Sequence, residues 1–97
     1  MRTETTTTKT STKWDGTTTE TTQTVAVYTG TVATLAPLDG FPSHRTVTLT
    51  DGSIFLAQVD ALSAPVGYVL SAIIGRDVVA ECTVNPSREG FARVALA

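Results

Sequence analysis

Seven side chains are best suited to hold a ligand: Phe41, His44, Arg45, Phe55, Arg88, Phe91 and Arg93. Aromatic rings set among guanidinium groups can stack on flat bases and neutralise phosphates, the chemistry used to bind single-stranded RNA or DNA. In that scheme Phe41, Phe55 and Phe91 stack, while Arg45, Arg88 and Arg93 meet phosphates. His44, just ahead of a strand, can touch a phosphate or a base edge. Each residue also has a plainer reading. Phe41 can plug one end of a core, Phe55 lies in the most apolar segment and suits core packing, and His44 can be a solvated loop residue.

Catalysis finds little material. The lone histidine, without spaced cysteines, makes no zinc site. No glycine-rich loop precedes a lysine to cradle phosphates. The serines lack a credible base, and Asp77 and Glu81 are spaced for one strand face, where carboxylates serve solubility. The expectation is a non-enzyme without a cofactor. The single Cys82 forms no internal disulfide and shares a strand face with Ala80 and Val84, so a buried thiol is expected in a reducing, cytoplasmic setting.

The elements that must position these residues begin after a polar stretch. Thirteen of residues 1–24 are threonine and Trp14 is the only large apolar side chain there, so composition predicts a disordered tail at 1–24 and a domain at 25–97. Threonine also favours extended backbone, so the tail can act as an arm for a protein partner, with Trp14 ahead of Asp15-Gly16 as a docking anchor. No run approaches the ~20 apolar residues of a membrane helix, and no signal-peptide core opens the chain. Net charge is −2, and after residue 24 four arginines face six acids. That is not the basic footprint of a strong nucleic-acid binder.

Hydrophobic alternation marks strands at 24–35, 45–59, 77–84 and 91–96. Gly30 interrupts the first, where a strand bends. Two prolines and Asp39-Gly40 predict a loop over 36–43. At 45–59, Val47 and Leu49 alternate with threonines, Asp51-Gly52 predicts a type I′ turn, and the nearly continuous apolar return strand predicts a central strand covered on both faces. Ser63-Ala64-Pro65 predicts the opening of a short helix that ends at Gly75. Asn85 to Gly90 reads as a turn. Five short strands with a helix between the third and fourth predict an all-β, five-stranded OB-fold-like small barrel behind a disordered tail. Short strands alone leave an SH3-like topology open.

Particular residues then point to a family. Tyr28-Thr-Gly-Thr-Val32 resembles the opening of bacterial cold-shock domains and of bacterial translation initiation factor 1. Gly40-Phe41 falls where cold-shock proteins begin their first RNA-binding motif, and Ile54-Phe55-Leu56 is similar to their second. Val47 to Val59 also looks like the initiation factor's central hairpin, and Gly75 to Val84 resembles the fourth strand of both. The resemblance spans about residues 26–96 and implies single-stranded nucleic-acid binding, with Phe41 and Phe55 as stacking platforms. Pro42 and Ser43 replace the second glycine and aromatic of the first motif, Ala57 replaces the histidine of the second, and the surrounding lysines are absent. The competing expectation is an assembly module that keeps the barrel and has lost the nucleic-acid surface.

Overall fold

The computed structural model describes residues 1–85 and 88–97. The chain runs β1 (Arg2–Thr12), β2 (Thr18–Leu38), β3 (Phe41–Leu49), β4 (Ile54–Gln58), α1 (Val59–Ser63), two 3₁₀ turns (Ala64–Val66 and Leu70–Ile73), β5 (Asp77–Val84) and β6 (Arg93–Leu96). It is an all-β protein with one short helix. The sheet order is β4-β3-β2-β5-β6, every neighbour antiparallel, with β1 also paired to β2. The strands number six where five are expected, and they make an open sheet. An isolated parallel bridge links Ala57 of β4 to Ala92, next to β6, and the Ala92 N–H donates to Leu56 O at 2.7 Å.

β2 organises the rest. Its residues Thr24–Tyr28 pair with β1 on one edge and with β5 on the other, and from Val32 onward it pairs with β3. Gly30 lies at the change of partner with φ +152°, and a Cβ there would stand 3.4 Å from Leu49 Cδ1. At Gly30, where a bend is expected, β2 exchanges β1 for β3 on one edge while its ladder with β5 runs on through Thr31. Alternation does the remainder. Ala26 and Tyr28 of β2, Val78, Ala80 and Cys82 of β5, and Val47 and Leu49 of β3 are all buried. Leu62 of α1 and Ile73 of the second 3₁₀ turn complete the same core. Burial holds the Cys82 thiol up at about 11, which keeps it protonated.

Several expectations are corrected. Residues 1–24 are not a disordered tail: β1 and the start of β2 form an antiparallel ribbon from Arg2↔Tyr28 to Thr12↔Thr18. β2 passes through residue 24 unbroken. The strand preference of threonine is realised here because the ribbon grows from a strand anchored in the core, which a composition rule does not register. Its turn, Trp14-Asp15-Gly16, repeats the chemistry of Thr50-Asp51-Gly52. Each aspartate accepts from the N–H two residues on, at 2.9 Å, and each glycine has positive φ. These are three-residue turns closed by a left-handed glycine, not type I′ turns, since neither aspartate has positive φ.

The segment 36–43 is likewise not a loop; β2 and β3 continue to a tight Asp39-Gly40 turn, with a register shift at Pro37/Leu38. β4 ends the sheet order and is covered on one face only: Phe55 and Ala57 are buried, while Ile54 is 55% exposed. Helix begins at Val59, ahead of the expected start, and Ser63-Ala64-Pro65 marks its tightening into 3₁₀ geometry. Gly67 and Tyr68, both left-handed, then stop it. Pro86 and Ser87 of the expected 85–90 turn lie outside the described residues. No helix among the described residues is long and apolar enough to cross a membrane.

The change of partner in β2 yields a direct expectation. Gly30→Ala holds an L-residue at φ +152°, a backbone region unfavourable to it, with its Cβ in ordinary contact with Leu49, so stability should fall by about 1–3 kcal/mol. A chemical denaturation midpoint equal to that of the parent would show that this position does not need glycine.

Candidate binding groove

An open groove of about 530 Å³ lies between the β2–β3 turn, the outer face of β4 and the segment leading to β6. Leu38, Phe41, Ile54, Leu56 and Phe91 make its walls, with Arg88 and Glu89 on one side. Its position follows from the strand pattern. β4 turns Phe55 inward and so turns Ile54 and Leu56 outward, which explains the apolar residues that suggested two buried faces. Phe41 and Phe91 stand 6.3 Å apart, centroid to centroid, and remain 48% and 39% exposed. His44 lies against Phe91 at 4.1 Å and meets Phe41 edge-on at 5.6 Å. His44 Nδ1 is buried with no hydrogen-bond partner among the described residues.

The structure thus gathers Phe41, His44, Arg88 and Phe91 of the seven candidates. Phe55 also borders the groove but is 1% exposed and packed on Tyr28 at 5.3 Å, which fits the core-packing reading of this residue. Arg45 is turned to its own backbone, donating to Pro42 O and His44 O. Arg93 is exposed on β6 opposite Glu81, outside the groove. Among the described residues no cluster of histidine, cysteine and carboxylate groups could hold a metal ion.

Sequence reasoning missed the contact that fixes the groove wall. The Tyr28 hydroxyl donates to Glu89 Oε2 at 2.6 Å, and Arg2 Nε donates to Glu89 Oε1 at 2.8 Å and to the Tyr28 oxygen at 3.0 Å. Arg2 also pairs with Glu4 at 2.6 Å. Burial raises the Tyr28 hydroxyl to about 12, and its bond to Glu89 adds to the effect. At Glu89, burial pushes the carboxyl up, but the bonds from Tyr28 and Arg2 outweigh it and the net shift is downward. Glu89 is therefore charged and already compensated, which leaves Arg88, among the described residues, as the charge of the groove lining without an ion-pair partner. A residue separation of 87 between Arg2 and Glu89 left no local pattern to find.

No family model, curated protein or solved structure matches the chain.

The Tyr28–Glu89–Arg2 cluster carries a pH signature. A carboxyl lowered by folding contributes stability in full above its ordinary value of 4.5 and loses it as pH falls through the folded value. Glu89→Gln should lower stability by about 1 kcal/mol at neutral pH and lose less than the parent on acidification. Thermal unfolding near about pH 6 and about pH 3 checks this; parallel pH dependences would remove Glu89 as a contributor.

Proposed function

We propose that this chain is a non-enzymatic assembly module, an OB-type barrel whose β-ribbon arm grips a neighbouring subunit. The strand order with its Ala57–Ala92 bridge supports the barrel reading. β2, β3 and β4 would be the first three strands, the helical segment would follow the third, and β5 and β6 would complete the barrel. Ligands of OB barrels lie over the second and third strands and the loops joining strands 1–2 and 4–5. The corresponding elements here line the groove.

The observation that carries the assembly reading is the arm. Beyond Thr24↔Val84, where β5 ends its pairing, six further residue pairs continue the β1–β2 ribbon with both faces exposed. At about 3.4 Å per pair the arm extends on the order of 20 Å. A two-stranded ribbon without an apolar face is marginal in water. The ribbon also presents two unpaired edges and many threonine hydroxyls, the features by which one chain adds strands to another. The acidic balance fits a protein partner better than a polyanion.

A second reading, binding of single-stranded RNA or DNA, is favoured by the half-exposed Phe41 and Phe91 beside Arg88. Stacking on each ring supplies about 1–3 kcal/mol per base. With Phe55 in the core and Arg45 on its own backbone, the surface is smaller than the resemblance to cold-shock domains implies.

Two measurements separate these readings. Replacing residues 7–23 by an Asn-Gly turn keeps Arg2 and its partners and removes the arm. The full chain should show a larger, concentration-dependent mass by sedimentation, and the shortened chain should be monomeric; equal masses would end the assembly reading. Titration of labelled protein with short single-stranded RNA and DNA tests the other. Amide shifts clustered at 41–44, 54–56 and 88–91 that weaken between about 25 mM and about 150 mM salt would support it, and no shifts at millimolar oligonucleotide would dismiss it.

A further inference from the structure

We infer that the tip of the arm is a knob and the groove its socket, so that Trp14 of one copy inserts between Phe41, Ile54 and Phe91 of a second copy. This rests on the assembly reading and specifies its contact. Trp14 is the only tryptophan of the chain, and it sits at the crown of the ribbon turn, 99% exposed. Trp is among the residues that most often anchor interfaces by filling a partner's pocket. The groove presents the matching concavity: its walls are apolar, its aromatic rings are half-exposed, and its volume of about 530 Å³ falls in the range of specific binding pockets.

Charge complements the shape. Lys13 and Asp15 flank Trp14 on the turn. Asp15, whose carboxyl is held below its ordinary value by hydrogen bonds from Thr17, is anionic at neutral pH. At the groove, Arg88 lies on one wall, and Asp39 occupies the turn between Leu38 and Phe41 on the other. With Glu89 already held by Tyr28 and Arg2, a knob with one charge of each sign meets a socket whose remaining charges are one of each, and a single orientation places Asp15 at Arg88 and Lys13 at Asp39. The other orientation places like charges together and is disfavoured.

Geometry makes the contact intermolecular. The groove includes Asn85, next to Val84, which pairs with Thr24 at the root of the arm. The hydrogen-bonded ribbon carries Trp14 six residue pairs away from that root, so the tip cannot fold back into its own groove. Knob and socket are different surfaces, so the contact is heterologous: each copy gives one tip and receives one, and the product is a ring or an open chain.

Trp14 also provides the readout, because its fluorescence reports on this residue alone. On raising protein concentration, emission should move to the blue as sedimenting mass increases. Trp14→Ala should weaken self-association at least about tenfold. Ile54→Lys, at an exposed β4 position, should abolish the blue shift and keep the fold, as checked by circular dichroism. Mixing Trp14→Ala, which keeps a socket, with Ile54→Lys, which keeps a knob, should give a 1:1 pair that does not extend. If the shortened-arm chain is monomeric while Trp14→Ala associates like the parent, the knob is overturned and the arm stands, with its edges making the contact. If Ile54→Lys keeps the full blue shift, Trp14 docks elsewhere and the socket is overturned. A full chain that stays monomeric with solvated Trp14 at all concentrations overturns the inference and the assembly reading together.

Discussion

The double pairing of β2 is the constraint from which the rest of the structure follows. Between Thr24 and Tyr28 this strand is hydrogen-bonded on both edges, to β1 and to β5, and beyond Gly30 it hands one edge to β3. A strand paired on both sides has no freedom to slip, because a shift of one residue would turn Ala26 and Tyr28 out of the core and bring Val25 and Val27 in. The register of β1, β3 and β5 is fixed against it in turn. The root of the arm, the core and the Leu38 wall of the groove are thus successive portions of one strand.

The Tyr28–Glu89–Arg2 cluster ties that strand to the far end of the chain. Tyr28 projects from the core face of β2, and its ring packs on Phe55 while its hydroxyl reaches Glu89. A half-buried carboxylate is costly without partners, and it is held here by one hydroxyl and one guanidinium. Glu89 stands between Arg88 and the Gly90-Phe91 pair, so its placement sets that wall of the groove. Arg2 arrives from β1, which makes the base of the arm and the groove wall parts of one electrostatic unit.

Much of this architecture was legible in the residues. Alternation identified the buried faces of β3, β5 and β6, and Gly30 marked the change of partner in β2, where φ is +152°, a conformation that L side chains rarely adopt. Asp51-Gly52 marked a hairpin, though its geometry is the three-residue form. The arm was missed for a physical reason: low apolar content predicts disorder when a segment must fold alone, whereas this one extends a strand already fixed. Asp15-Gly16 between two threonine runs was the signal that composition overrode. Of the candidate site, Phe41, His44, Arg88 and Phe91 converge as residue type suggested. Phe55 was lost to the core because its alternation with Ile54 and Leu56 decides one face, and the sequence does not say which face is wet. The Arg2–Glu89 contact spans nearly the whole chain and leaves no local trace.

The continuity of β2 also determines how the molecule bears force. A pull on the arm along its length enters β2 and runs parallel to it, past β5 and on to β3. Loaded in this direction, the backbone hydrogen bonds of both ladders are strained together in shear, whereas a pull across the strand would peel them one at a time. Gly30, where β2 changes partner, divides the load between the β5 ladder before it and the β3 ladder after it. The arm is therefore anchored like a tendon, its load passed into the two ladders of the sheet rather than borne by the turn at its tip.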